Sequence, residues 1–455
     1  MANSSQFEKM TNTPIPGLVL RLSAPAVISM LVTNIYNLVD TAFVGRLGTS
    51  ASGAVGIVFG FMSVIQAFGF LFGQGAGSIL SRALGAKDRE KASVNASLGF
   101  FASFFFGLLI TVFGFIFLDK IIVFLGSTKT IAPYAKAYIT YILIAAPFMT
   151  SCLTLNNFLR YEGRAFLGMI GLMTGAVLNM AVDPILMFGC KMGITGAGLS
   201  TAASQLVSWL ILLGMFLSGK TESRIGLRLL LRGSPAMLGN IMATGFPSLL
   251  RQGLNSLVTV ILNAQCAPYG DAAIAAMSIV SRIVFFAFSV ALGVGQGFQP
   301  VSAFNYGAKR YDRLRKSCAF TVLVSEGIIL FACFFLVVFS DKLVGVFRND
   351  PRVIEIGTRA LRLQAIATIL LPPCMTTEML FQSTGKRLGA TLLSSMRSGL
   401  LFIPLLLILA HYRGLSGIQE AQPIALALSF PLTVPFAIWF FKKLPPGETE
   451  HRQTD

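Results

Sequence analysis

Apolar residues in this chain neither alternate strictly nor keep to one helical stripe; they come in long continuous runs separated by short polar punctuation. Each run is close to the roughly 20 residues with which a helix crosses a bilayer. A membrane barrel would need short alternating segments, so the runs predict spanning helices. Twelve are predicted, near residues 18–43, 53–80, 94–118, 132–157, 165–188, 196–217, 239–266, 274–303, 317–340, 357–381, 388–410 and 418–441.

Composition agrees: 54% of the 455 residues are hydrophobic and 12% are charged, a balance foreign to soluble domains. The opening MANSSQFEKMTNTPIP has no basic region, short apolar core or cleavage site, so the first span is expected to insert uncleaved.

Charge then orients the helices. Lys and Arg cluster in alternate connections, at Arg82, Lys87, Arg89 and Lys91, at Arg160 and Arg164, from Lys220 to Arg232, from Lys309 to Lys316, at Lys386 and Arg387, and at Lys442 and Lys443. Those connections and both termini are expected on the cytoplasmic side of the plasma (inner) membrane. The connection from Asp341 to Arg352 carries both signs and blurs the contrast. The net charge of +17 reads as topology and contact with anionic lipid; no nucleic-acid partner is expected.

The chain also repeats itself. A shift of 222 residues superposes Pro25 on Pro247, Gly48 on Gly270, Gly73-Gln74-Gly75 on Gly295-Gln296-Gly297 and Gly85-Ala86-Lys87 on Gly307-Ala308-Lys309, without a gap. Gly163 meets Gly385 at the same shift, and GITG (193–196) meets GLSG (414–417) at one less. Each half therefore holds six helices. An even number gives both halves the same orientation, a parallel repeat about an axis along the membrane normal, flanking a central cleft suited to alternating access. The fold class is all-α polytopic, with two pseudo-symmetric six-helix lobes. The expected organisation is a cytoplasmic tail (1–17), an N-lobe (18–217), a cytoplasmic linker (218–238), a C-lobe (239–441) and a second tail (442–455).

Against this apolar background a carboxylate inside a span stands out, since a central charge costs about 2.5–3.5 kcal/mol on insertion scales. Asp40 lies before the outer end of the first span, and Asp183 at similar depth in the fifth. Asn179 is four residues from Asp183, on the same helical face, Pro184 can free a backbone carbonyl, and Thr201 begins the sixth span at that depth. Two carboxylates, an amide and a hydroxyl are hard-oxygen ligands for a small cation; if close and desolvated, the carboxylate pair could instead carry a proton. The equivalent positions in the second half are Leu262 and the neighbourhood of Pro404 and Leu405. The acidic cluster belongs to one half only.

Other polar groups lie in second-half spans: Arg251, Arg282, Glu326, Glu378 and Arg397. Glu378 and Arg397, at comparable depth on adjacent helices, are expected to form a structural ion pair, with a substrate or proton role as the alternative. Gln74 and Gln296 are expected to bond between helices beside glycine contacts. Phe and Met are abundant, 39 and 17 residues, and some would give a cleft pliable apolar walls. Enzymatic chemistry finds little support. The two histidines, His411 and His451, and six dispersed cysteines form no metal or triad pattern, and there is no phosphate-binding loop. A transferase using Asp40 and Asp183 for Mg²⁺ is a distant alternative.

Four stretches, NLVDTAFVGRLG, GQGAGSILSRALGAKD with its echo GQGFQPVSAFNYGAK, LRYEGR, and LNMAVDPILMFG, resemble the multidrug and toxic compound extrusion (MATE) transporters over nearly the whole chain. The resemblance implies a V-shaped twelve-helix antiporter that exports amphipathic, often cationic organic compounds in exchange for Na⁺ or H⁺, with no other cofactor and as a monomer. It also implies a first-lobe cation site at Asp40, Asn179, Asp183 and Thr201. Some relatives rely instead on acids in the seventh and tenth helices; here those helices offer Arg251, Gln252 and Asn255, and Glu378. A flippase for lipid-linked sugars is the nearest rival, with Arg251 and Arg397 as its candidate cationic residues.

Overall fold

A computed structural model describes residues 6–445; His451 and most of the 442–455 tail lie outside them. Among the described residues every regular element is helical. The spans are α1 (Ile15–Gly45), α2 (Thr49–Gly85), α3 (Arg89–Ile116), α4 (Ala132–Tyr161), α5 (Ala165–Pro184), α6 (Ile194–Leu217), α7 (Pro235–Cys266), α8 (Asp271–Gly307) and α9 (Tyr311–Val338). Then come α10, built from Pro351–Thr368 and Leu371–Ser383 at a 53° bend, and α11, which starts at Arg387–Ser395 and runs through a π turn, Met396–Leu400. A continuous helix Phe402–Lys443 contains Gly414 at φ 59°, ψ −137°; this break ends α11 and starts α12. The twelve expected spans are all present, most of them a few residues longer than their apolar windows.

The repeat is legible because equivalent turns demand equivalent backbone. Gly193 and Gly414, the matched pair one residue off the main shift, both lie in the left-handed region, at φ 56° and 59°, and the lysines ending the two GAK tripeptides, Lys87 and Lys309, lie there at 61° and 57°. Short helices Leu118–Phe124 and Ser340–Phe347, absent from the predicted set, also stand 222 residues apart.

Internal packing divides the chain into two compact units, Met1–Val27 with Leu254–Asp455, and Ile28–Gly253. The divisions thus fall inside α1 and α7, just beyond Pro25 and Pro247, and not in the 218–238 segment. The physical reason is close backbone packing. In the second unit the first half of α7 lies on α2, where a Cβ on Gly75 would meet the Ile241 carbonyl and one on Gly245 the Leu71 carbonyl. In the first unit the first half of α1 lies on α8 in the same manner: Gly297 abuts Ser23, Gly293 abuts Val27, and Ser23 Oγ donates to the Val294 carbonyl at 3.2 Å.

Within the Ile28–Gly253 unit α4 is the central post. Of its apolar window 72% is buried inside the protein, against 28–39% for α1, α2, α3, α5 and α6. Lipid gives no hydrophobic drive for helix pairing, so close approach and polar contacts must supply it. Gly107 of α3 meets Pro147 and Thr150, Gly73 of α2 meets Asn157, and Tyr161 OH donates to Gln74 Oε1 at 2.8 Å, an interhelical bond of the kind expected for that glutamine. The segment after α6 is strapped to this unit. Fully buried Glu162 accepts from the Glu222 and Ser223 N–H groups, at 3.0 and 2.9 Å, and from Ser223 Oγ.

Candidate functional site

The acidic cluster forms within the Ile28–Gly253 unit. Asp40 sits five residues before the end of α1, 7% exposed, and Asp183 at the penultimate position of α5, fully buried. Pro184 has no N–H to offer the Met180 carbonyl, and the helix continues only as a π turn, Ile185–Gly189. This irregular end carries Asp183 toward α1 and α6. The two carboxyl groups lie within hydrogen-bonding reach of each other.

Asn179 holds the cluster together. With its amide oriented to satisfy both ends, Nδ2 donates to Asp183 Oδ2 at 2.9 Å, while Oδ1 accepts from the Thr201 N–H and from Ser200 Oγ, each at 3.2 Å. Asn179 is 2% exposed and Thr201 1%. All four residues singled out in the sequence are therefore brought together on α1, α5 and α6. Ser200 completes the group through its hydroxyl on the Asn179 amide, and the phenols of Tyr36 and Tyr138 lie in the same neighbourhood, near Asp40, Asp183 and Thr201. Tyr36 stands four residues from Asp40 on the same helical face, a spacing that could have revealed it. Tyr138 comes from α4 and leaves no such trace.

Among the described residues no Lys or Arg forms an ion pair with Asp40 or Asp183, and Asp40 Oδ1 is buried without a hydrogen-bond partner. An unpaired carboxylate oxygen in so dry a place costs free energy unless a cation or proton meets it. The oxygen set suits both: carboxylate, amide and hydroxyl oxygens are hard donors, and no group of three or more His, Cys, Asp or Glu, as a transition metal would use, occurs among the described residues.

The other candidates lie elsewhere. Arg251, Gln252 and Asn255 straddle the division within α7. Glu378 and Arg397 do meet: Arg397 Nη2 donates to Glu378 Oε2 at 2.9 Å, with side-chain exposures of 16% and 1%. Arg397 is carried by the π turn of α11. Arg282 is exposed on α8 and Glu326 partly exposed on α9.

A duplicated bundle of twelve membrane-spanning helices, with a buried acidic pocket in one half only, defines a polytopic membrane transporter. Comparison with known proteins gives the family. The family profile MatE matches residues 25–185 and 247–408, the two repeats in register, and the chain belongs to that family, the MATE transporters. It is 29% identical over 410 residues to Multidrug export protein MepA of Staphylococcus saprophyticus, covering 90% of each chain. To the protein of the same name in Staphylococcus aureus it is 29% identical over 424 residues, 93% of this chain and 92% of the relative. Among solved structures, the outward-facing conformation of a multidrug resistance MATE family transporter of the MOP superfamily superposes with a TM-score of 0.91 at 25% identity, covering 97% of this chain and 99% of the other.

Proposed function

We propose that this protein is a secondary antiporter that exports amphipathic, often cationic organic compounds and takes in Na⁺ or H⁺ in exchange. The observation that carries the proposal is the pair Asp40 and Asp183, buried together beside Asn179 and Thr201 with one Asp40 oxygen unmet. Multidrug export by the Staphylococcus relatives supports the nature of the cargo.

In this reading the residues act as follows. Asp40 and Asp183 supply the negative charge that makes a small cation or proton welcome in a low-dielectric setting. Asn179 fixes Asp183 and passes the constraint to α6 through the Thr201 N–H; Thr201 adds its hydroxyl. Because the ligands sit on three helices, filling the site draws α1, α5 and α6 together, while leaving it empty loosens them. Exchange requires that the coupling ion and the organic substrate favour different states of the protein, so that each lowers the affinity for the other.

The flippase reading needs cations free to meet a lipid phosphate, and the engagement of Arg397 by Glu378 weighs against it. Efflux of ethidium from proteoliposomes, under an imposed Na⁺ gradient and then an imposed pH gradient, tests the proposal. Export driven by one of the two is expected; ethidium and tetraphenylphosphonium both unmoved by either gradient would overturn it.

A further inference from the structure

The short helices Leu118–Phe124 and Ser340–Phe347, which follow α3 and α9, have no role in the proposed function, yet they share one plan: LDKIIVF in the first half of the chain, SDKLVGVF in the second. At the 222-residue shift Asp119-Lys120 falls on Asp341-Lys342, Ile122 on Val344 and Phe124 on Val346. The backbone repeats too. Phe117 (φ −107°, ψ 21°) and Phe339 (φ −103°, ψ 20°) separate span from short helix at the same point.

Each helix has two apolar faces. One is packed inward: Leu118, Ile121, Ile122 and Leu125, spaced as one helical face, join the core of the first half, and Leu343 and Val344 join that of the second. The other faces outward, with Phe124 89% and Val346 84% exposed, and with Val123 and Phe347 exposed beside them. A lysine accompanies each outward face. Lys120 Nζ stands 5.6 Å from the centroid of the Phe117 ring, and Lys342 Nζ 5.9 Å from that of Phe339, matched cation–π contacts. Asp119, next to the first lysine, is held by Lys136 of α4 at 2.8 Å.

What covers the outward faces follows from where they begin. The lipid-facing stripe of α3 ends in Phe113, Ile116 and Phe117, and that of α9 in their repeat equivalents Phe335, Val338 and Phe339, all exposed. Val123 and Phe124, and Val346 and Phe347, carry the two stripes past the break. A single exposed apolar residue needs no explanation, but the same apolar pair with the same lysine in both repeats does. Apolar side chains beside a lysine that can reach outward are the composition of an element lying at the boundary of headgroups and acyl chains.

We infer that Leu118–Phe124 and Ser340–Phe347 are a matched pair of interfacial anchors, one in each repeat, whose partner is the phospholipid bilayer. Val123, Phe124, Val346 and Phe347 enter the acyl boundary, and Lys120 and Lys342 stand in the headgroup layer. A second copy of the chain fits less well, since a contact at one anchor would leave its repeat partner uncovered. In the first half the anchor shares its core with Val44, four residues beyond Asp40, and with Met187 of the π turn after Asp183, so it is packed to the helix ends that carry the cation site.

Spin labelling of the full-length protein in phosphatidylethanolamine–phosphatidylglycerol proteoliposomes tests the assignment. Cys190 is the one exposed cysteine among the described residues, so Cys190→Ser supplies the background. Labels are placed by Phe124→Cys and Val346→Cys, repeated one residue along by Val123→Cys and Phe347→Cys, with Lys129→Cys and Asn349→Cys in the adjoining exposed segments as references. The ratio of collisions with oxygen to collisions with a water-soluble nickel chelate should be several-fold higher at the four anchor positions than at the references. A ratio equal to the references would put the faces in water and overturn the assignment. Low access to both reagents would show them covered by protein and overturn it as well, and a membrane signal in one repeat alone would refute the matched pair.

Discussion

Removing Arg397 alone should be far more damaging than removing Arg397 and Glu378 together. The pair bridges α10 and the π turn of α11 at 2.9 Å, and the Glu378 side chain is only 1% exposed. Charge centres about 4 Å apart at an effective dielectric of about 20 attract by about 4 kcal/mol, which offsets the several kcal/mol lost on desolvating each ion. Arg397→Met withdraws the guanidinium from the buried Glu378 carboxylate and should cost about 3–5 kcal/mol, lowering the apparent melting temperature in detergent by roughly 3–5 °C for a chain of this length. The double variant Glu378→Met with Arg397→Met removes both desolvation penalties and should fall within about 2 kcal/mol of the unaltered protein. Thermal unfolding monitored by a thiol-reactive dye on all three proteins measures the coupling, and ethidium efflux from the double variant measures the role. Single and double variants equally destabilised would refute the reasoning, because no compensating pair would then exist. A double variant that is stable but unable to transport would make the pair functional.

Three further outcomes follow from the packing and the site. Asn179→Ala removes both the donor to Asp183 and the acceptor of the Thr201 N–H, so it should cost about 1–3 kcal/mol and abolish gradient-driven efflux; unchanged efflux would show that the bridge between α5 and α6 is dispensable. Gly75→Leu and its repeat partner Gly297→Leu drive a side chain into the Ile241 carbonyl and into Ser23 respectively, so neither should yield monodisperse protein, whereas Gly60→Leu, where nothing lies within 4 Å, should. Burial pushes the Glu162 carboxyl above the ordinary carboxylate range, against the pull of the Ser223 hydroxyl and the Glu222 and Ser223 N–H groups. The folded state then holds the proton more tightly than the unfolded one, so docking of the 220–226 segment is firmest at low pH and weakens as pH rises through the folded-state value. Proteolytic nicking of that segment in membranes should accelerate accordingly, and a rate falling with pH, after correction for the protease's own profile, would contradict the sign.

Sequence reading captured what rests on local demands. Apolar runs identified the spans, and the repeat surfaced because left-handed turns at Gly193 and Gly414 and at Lys87 and Lys309 recur in both halves. The four oxygen-bearing residues Asp40, Asn179, Asp183 and Thr201 were visible because polar groups inside apolar runs are costly and therefore conspicuous. The exchange of the first halves of α1 and α7 was hidden. Gly75 and Gly297 announce only that some backbone comes close, and a partner from either half would satisfy the same residues. Tyr138 was hidden for a related reason: a tyrosine in an apolar helix is ordinary, and only α4's central position brings it beside the acidic cluster. The short helices Leu118–Phe124 and Ser340–Phe347 lie between the apolar windows and carry no spanning signal of their own.

In the proposed exchange, one cation site in the first repeat answers to substrate elsewhere in the protein. Titrating tetraphenylphosphonium into purified protein in weakly buffered detergent, with a pH indicator for H⁺ and ²²Na⁺ for sodium, tests it directly. Substrate should release one of the two ions from the unaltered protein, with the release abolished in Asp40→Asn and in Asp183→Asn while substrate binding persists. Release undiminished in both variants would place the coupling elsewhere and contradict the account.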